Sequence, residues 1–172
     1  MLNLQELIRD VPDFPKPGII FKDITRLLRD PAGLALSVEL LANPFRGRRI
    51  ELVVGAESRG FIFGTALAQA LSCGFAPIRK PQKLPAPKAS LAYDLEYGQD
   101  TLEIHRDAIV RGQRCLIVDD LLATGGTMDA CCRLVEMLGG DIVGIAVFIE
   151  LGFLQGRKKF KQYEMHSVIR YD

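Results

Sequence analysis

The sequence lacks an excess of charge of either sign: 22 Lys and Arg stand against 21 Asp and Glu over 172 residues, a formal net charge of +1. The broad basic face of a nucleic-acid binder is therefore missing. Histidine is scarce. Neither His105 nor His166 falls in a loop motif that would mark a catalyst, so both read as structural residues. The four cysteines, Cys73, Cys115, Cys131 and Cys132, show no C-x-x-C spacing and no nearby pair of histidines. Cys131 and Cys132 are neighbours on one helix and cannot turn to a shared partner. They read as reduced packing residues rather than a metal or redox site. No unbroken membrane span occurs, because Gly64, Gln69, Ser72, Gly74 and Pro77 divide the uncharged residues 61–78 into a buried helix, a turn and a strand. The start, Met1-Leu2-Asn3-Leu4-Gln5-Glu6, has neither the basic region nor the apolar run of a signal peptide, and the expected location is cytoplasmic. Neither G-x-x-x-x-G-K-[ST] nor a G-x-G-x-x-G after a strand is found, which weakens kinase, GTPase and dinucleotide readings.

What is present is the composition of a soluble globular chain, 48% hydrophobic and 25% charged, of a length that suits one domain over 1–172. Asn3 with Glu6 resembles a capping box for a short first helix. Pro12, Pro15, Pro17 and Gly18 then predict an irregular arm. Asp30-Pro31 starts a helix with Leu34, Val38 and Leu41 as its buried stripe, stopped at Asn43-Pro44. Apolar strands follow at Ile50–Val54, Phe75–Arg79, Cys115–Val118 and Ile142–Ile149, separated by a helix to about Ser72 and another ending at Gly139-Gly140. Continuous apolar strands alternating with helices predict an α/β fold with a mostly parallel sheet, flanked by helices. Ligands in such sheets bind beyond the carboxyl ends of the strands, so the loops after Val54, Arg79 and Val118 are where chemistry is expected. Between Lys80 and Arg111, a Pro- and Lys-rich stretch leads into an expected hairpin, Ser90–Tyr97 and Thr101–Arg106 around Gly98-Gln99-Asp100. A long loop and hairpin inserted into a compact unit read as a mobile lid.

The strongest signal is Leu116-Ile117-Val118-Asp119-Asp120-Leu121-Leu122-Ala123-Thr124-Gly125-Gly126-Thr127. An apolar strand delivers two carboxylates, and a Gly-rich turn then opens a helix. The N–H groups of Thr124, Gly125, Gly126 and Thr127, with the helix dipole, make an anion site. Asp119 and Asp120 repel that anion and suit sugar hydroxyls or a magnesium ion. A phosphate cradle beside hydroxyl acceptors is what a ribose 5-phosphate needs.

This string closely resembles the phosphoribosyl pyrophosphate loop of the type I phosphoribosyltransferases. The resemblance assigns the ribose to Asp119 and Asp120 and the 5-phosphate to Ala123, Thr124, Gly125, Gly126 and Thr127. Three further segments resemble the adenine phosphoribosyltransferases of that family, and the likeness runs from Val11 to Asp172. The arm Phe14-Pro15-Lys16-Pro17-Gly18-Ile19-Ile20-Phe21-Lys22-Asp23-Ile24-Thr25 resembles the adenine-binding hood, a small N-terminal element of about residues 1–30. It implies that Phe21 lies against the base while backbone at Ile20 and Lys22 reads its edge. Lys22 stands where many relatives have Arg. Ala56-Glu57-Ser58-Arg59-Gly60-Phe61 resembles the pyrophosphate loop, implying a cis peptide between Glu57 and Ser58 and a pyrophosphate grip from Ser58 and Arg59. Arg79, Lys80 and Lys83 add cations, and Asp94-Leu95-Glu96-Tyr97-Gly98 resembles the tip of the flexible loop. There Glu96 faces the base as acid, base or orienter, and Tyr97 belongs to the phosphoribosyl pyrophosphate site. Gln82 replaces a glycine common in relatives, which stiffens the expected hinge. The resemblance implies conversion of adenine and phosphoribosyl pyrophosphate to AMP and pyrophosphate with magnesium, in a homodimer without nucleic acid or membrane. Magnesium is expected through the substrate, with Asp119 and Asp120 as candidate ligands, and Glu96 and Arg59 are the expected catalytic residues. A 6-oxopurine phosphoribosyltransferase and a phosphoribosyl pyrophosphate-sensing regulator are the rival readings.

Overall fold

The computed structural model describes residues 2–95 and 98–172. The chain separates into two compact units, Met1–Leu40 and Leu41–Asp172.

In the first unit, Asn3 caps Leu4–Leu7, its Oδ1 accepting from the Gln5 N–H at 3.1 Å and its amide donating to Glu6 at 3.1 Å. The turn is 3-10 rather than α, because the chain leaves at Ile8 to form a strand. The expected irregular arm is in fact the connection of an antiparallel ribbon, β1 (Arg9–Pro12) with β2 (Ile20–Asp23). Prolines are confined to 12–17, so the ladder forms up to Pro12 and stops there. Lys22 pairs with Asp10 at 2.7 Å, holding the ribbon across its strands. After α1 (Thr25–Arg29), helix α2 (Pro31–Ala42) begins as its sequence requires, with Asp30 Oδ1 accepting the Gly33 N–H at 2.7 Å. Its buried seam runs through Gly33, Ser37 and Leu41, while Leu34 and Val38 are half-buried on its flank. A Cβ at Gly33 would stand 2.7 Å from the Leu7 side chain, so the small residue brings the helix closer than a leucine stripe would allow.

The second unit is built on a parallel sheet of β3 (Leu52–Ala56), β4 (Gly74–Ile78), β7 (Arg114–Leu122), β8 (Asp141–Leu151) and β9 (Met165–Tyr171), in the order β4-β3-β7-β8-β9. Helix α3 (Gly60–Ala70) contacts β3, β4 and β7, and Phe63 stacks on Phe148 of β8 at 5.0 Å. Helix α4 (Gly126–Met137) packs on β7 and β8 through Met128, Cys131, Cys132 and Val135. The expected parallel α/β fold is present. The strand β9 went unread because residues 156–170 are too polar to show an apolar run. The hairpin strands β5 (Lys88–Leu95) and β6 (Gly98–His105) pair from Lys88↔His105 to Leu95↔Gly98, so Gly98, Gln99 and Asp100 stand in a strand and not in the expected turn. The hairpin packs on α4. Among the described residues, no helix is long and apolar enough to cross a membrane.

Candidate active site

Two strand ends meet in one cleft. Strand β3 ends at Ala56, and Glu57, Ser58 and Arg59 lead into α3, with the Glu57–Ser58 peptide cis. Neighbouring β7 runs through Asp119 and Asp120 to Leu122, further than expected, and residues 123–125 turn into α4. Gly125 has φ +85°, a left-handed conformation that a side chain resists and glycine adopts without penalty. Glu57, Ser58, Arg59, Asp119, Asp120 and all of residues 121–128 line the resulting cleft of about 310 Å³. The first-turn N–H groups of α4 have no preceding carbonyl within the helix and point to this end.

Asp120 is buried, and Arg59 approaches its Oδ2 at 2.9 Å, a charge contact without a well-directed hydrogen bond. The Asp120 N–H donates to Asp119 Oδ1 at 2.8 Å. Burial raises both carboxyls above the ordinary range. The adjacent Asp120 charge raises Asp119 further, whereas Arg59 partly offsets the burial of Asp120. A cation or a set of hydroxyl donors would relieve this pair. Among the described residues no group of three metal-ligating side chains occurs, and Asp119 and Asp120 could supply only part of the oxygen shell of a divalent cation.

The cations after β4 stand apart from the cleft lining. Arg79 exchanges backbone hydrogen bonds with Glu103, and its Nε donates to Glu57 at 3.3 Å. The Lys80 N–H donates to the same Glu57 oxygen at 2.7 Å, and the Lys80 ammonium pairs with Asp100. Lys83 is exposed, and its carbonyl accepts from Arg79. Arg79, Lys80 and Lys83 are not among the residues lining the cleft. Sequence reasoning missed Glu57 as the residue that ties the pyrophosphate loop to this segment. It also missed Tyr93, whose hydroxyl lies 3.3 Å from Asp100 and 3.4 Å from Thr127 Oγ1. Burial would raise Asp100, but Lys80, the Thr101 N–H and the Tyr93 hydroxyl together outweigh it and the carboxyl lies below its usual value. Glu96 and Tyr97 lie outside the described residues.

In the first unit, Phe21 is half-buried and meets Phe14 edge-on at 5.1 Å, while Ile20 is exposed on the same strand. The four cysteines are free thiols, three of them buried.

A parallel sheet that delivers a carboxylate pair and a glycine turn opening a helix to one cleft defines an α/β protein with its candidate site at the strand ends. Residues 23–172 match the phosphoribosyl transferase domain family. An adenine phosphoribosyltransferase of Acidobacterium capsulatum is 57% identical over 168 residues, covering 98% of this chain and 93% of the relative. The crystal structure of the enzyme from Thermoanaerobacter pseudethanolicus superimposes with a TM-score of 0.95 at 52% identity, covering 98% of this chain and all of that one. That of Saccharomyces cerevisiae, complexed with an imino-altritol bisphosphate and adenine, gives 0.89 at 38% identity over 96% and 97% of the two chains. The chain belongs to the phosphoribosyl transferase family and, within it, to the adenine phosphoribosyltransferases.

Proposed function

We infer that the chain transfers the 5-phosphoribosyl group of phosphoribosyl pyrophosphate to adenine, forming AMP and releasing pyrophosphate. The observation that carries this is the single cleft in which the turn 123–127 lies beside Asp119, Asp120 and Arg59. A phosphate, a pair of sugar hydroxyls and a diphosphate need those three chemistries in that order along one molecule. The full-length likeness to adenine phosphoribosyltransferases, one of them holding adenine, supports the choice of base.

In this reading the N–H groups of residues 124–127 and the two threonine hydroxyls hold the 5-phosphate. Asp119 and Asp120 accept the ribose hydroxyls. As the bond from the sugar carbon to pyrophosphate lengthens, positive charge grows on the sugar and negative charge on the leaving group. Arg59 faces the leaving group, where a preorganised cation lowers the barrier, and the acidic pair faces the sugar. Magnesium, when bound, would neutralise pyrophosphate charge, with Asp119 and Asp120 as the chain's own ligands. Lys80 and Lys83 reach the pyrophosphate once Lys80 leaves Asp100, Arg79 adds positive charge behind them, and Tyr97 joins this site. Phe21 stacks on adenine while the backbone at Ile20 and Lys22 reads its edge, and Glu96 orients the base or moves its proton. The segment from Pro81 to Asp100 excludes water, which would otherwise hydrolyse the activated sugar. A single functional domain with an N-terminal hood, a homodimer and a cytoplasmic location complete the proposal, the assembly being testable by sedimentation.

A steady-state assay with phosphoribosyl pyrophosphate, magnesium and each of adenine, hypoxanthine, guanine and orotate tests the reading. AMP from adenine alone is expected. Turnover of another base discards the hood assignment, and tight substrate binding without turnover favours a sensing role.

A further inference from the structure

The chain between β8 and β9 contains no α-helix. It leaves β8 after Leu151, forms two 3-10 turns, Gly152–Leu154 and Gly156–Phe160, and re-enters the sheet at Met165. Such short turns hold their shape poorly by themselves. Yet this segment forms the back wall of the phosphate turn. A Cβ on Gly156 would lie 2.2 Å from the Ala123 carbonyl oxygen and 3.1 Å from the Gly125 nitrogen, so the two main chains touch without room for any side chain. A Cβ on Gly125 would lie 3.0 Å from the ring of Phe160, itself buried.

What fixes the segment is a buried carboxylate. Glu150 is 2% exposed and is paired in the β7–β8 ladder with Leu122, the last residue of β7 before the phosphate turn. Arg157 turns back onto it: Nε donates to Glu150 Oε1 at 2.9 Å, and Nη2 donates to Glu150 and, at 2.9 Å, to Ser167 Oγ. Arg157 Nη1 donates to the Met165 carbonyl at 2.8 Å, and the Ser167 hydroxyl donates to Glu150 at 2.7 Å. Arg170 lies 3.5 Å from the same carboxylate. Arg157 holds the Glu150 carboxyl below its ordinary range, with burial opposing and Ser167 adding to the effect. A buried ion pair is weak evidence for stability, since apolar replacements are often neutral. A planar guanidinium bonded along three directions does fix geometry. The geometry here matters because N–H groups serve an anion only when aimed at it.

We propose that Glu150 and Arg157 are positioning residues for 5-phosphate binding, a clamp that presses Gly156 and Phe160 against residues 123–125 and so sets the aim of the turn. This rests on the phosphoribosyltransferase reading. It predicts a defect confined to the phosphate end of the substrate, with the pyrophosphate end at Arg59 unaffected.

The test measures steady-state kinetics and, by calorimetry, the binding of ribose 5-phosphate and of pyrophosphate with magnesium. Variants are Glu150→Gln, Gly156→Ala and the milder Ser167→Ala. Lys158→Ala, whose ammonium donates to the exposed Gln155 side chain, is the control. Glu150→Gln and Gly156→Ala are expected to weaken ribose 5-phosphate and raise the KM for phosphoribosyl pyrophosphate roughly tenfold, and Ser167→Ala about two- to threefold. Pyrophosphate affinity and the KM for adenine stay within about twofold of wild type by the same reasoning, and Lys158→Ala matches wild type. Parallel loss of both ligands, or wild-type ribose 5-phosphate affinity in all variants, overturns the clamp. If Glu150→Gln does not fold, Gly156→Ala and Ser167→Ala carry the comparison. A wild-type protein that makes no AMP from adenine overturns the function instead, and the ribose 5-phosphate comparison still decides the clamp.

Discussion

In the proposed function the turn after β7 and the basic stretch after β4 both hold parts of a highly charged anion, and they are built in two different ways. The turn offers backbone. Its shape comes from a left-handed glycine, a helix start and a packed wall behind it. The basic stretch offers side chains that are already engaged, Arg79 on Glu57 and Lys80 on Asp100. In the proposed reading a backbone site is ready before the ligand arrives, whereas Lys80 must exchange the Asp100 carboxylate for the pyrophosphate. The contrast suggests that affinity resides in the turn and that adjustment resides in the lysines.

The largest expected break in that comparison comes from Arg59, a side chain that borders the ready-made half. Arg59→Ala should lower turnover about 10²–10³-fold, as loss of a preorganised charge at a developing anion does elsewhere. Its side chain is 31% exposed, so little packing is lost, but the buried Asp120 loses its charge partner, and the melting temperature should fall by several degrees while the fold is kept. Kinetics and thermal melts on the same preparation decide it. An unfolded variant would remove Arg59 from the catalytic argument.

Asp119→Asn sharpens the comparison through pH. Burial and Asp120 raise the Asp119 carboxyl, so the folded state binds a proton more tightly than the unfolded chain. Stability therefore falls as pH rises from the unfolded value, about 3.9, through the raised folded value, and the whole penalty is present above it. Asn carries no such charge. At pH 8 the variant should melt a few degrees above wild type, with the gain gone near pH 3.5. Its KM for phosphoribosyl pyrophosphate should rise roughly tenfold, the cost of a lost ribose contact. A gain equal at both pH values would mean that packing, not charge, is responsible.

The same division governs what could be read from the sequence. The turn was legible because backbone sites are written locally: Gly125 and the apolar strand before it are adjacent in the chain, and the cleft contains each of the expected residues 119, 120 and 123–127. The parallel sheet was legible for the same reason, since each apolar run is continuous. Glu57 was quoted in its motif, but its partners lie 22 and 23 residues away, at Arg79 and Lys80. The clamp on Glu150 needs Arg157, which reads as part of an ordinary solvated run, and Ser167, which comes beside it only when β9 pairs with β8. Partners of charged side chains are set by topology, and no local pattern announces them.

A smaller effect separates the two roles of Lys80. Lys80 holds Asp100 below its usual value, so this pair contributes stability above the unfolded pKa and loses it as pH falls through the folded one. With Lys80 42% exposed, solvent limits that contribution to less than about 1 kcal/mol. Lys80→Ala should weaken pyrophosphate several-fold, about what a screened charge contact supplies, whereas Asp100→Asn should tighten it roughly twofold by releasing the lysine. Weakening by both would show that the pair itself shapes the site.

The smallest effect tests the hinge. Gln82 has φ +65°, a left-handed conformation unusual for a residue with a Cβ, and its N–H donates to the buried Glu103 at 3.2 Å. Glycine is the residue that adopts this conformation without penalty. Gln82→Gly keeps the N–H and removes the steric cost, while freeing the unfolded chain, which opposes the gain. The balance should be a stabilisation of about 0.5 kcal/mol, a shift of one to two degrees at this chain length. Because the hydrogen bond to Glu103 survives, affinity for pyrophosphate should not change. A large change in pyrophosphate affinity from this one backbone position would place the lysine half of the site under the control of its hinge, and would bring it closer in design to the turn after β7.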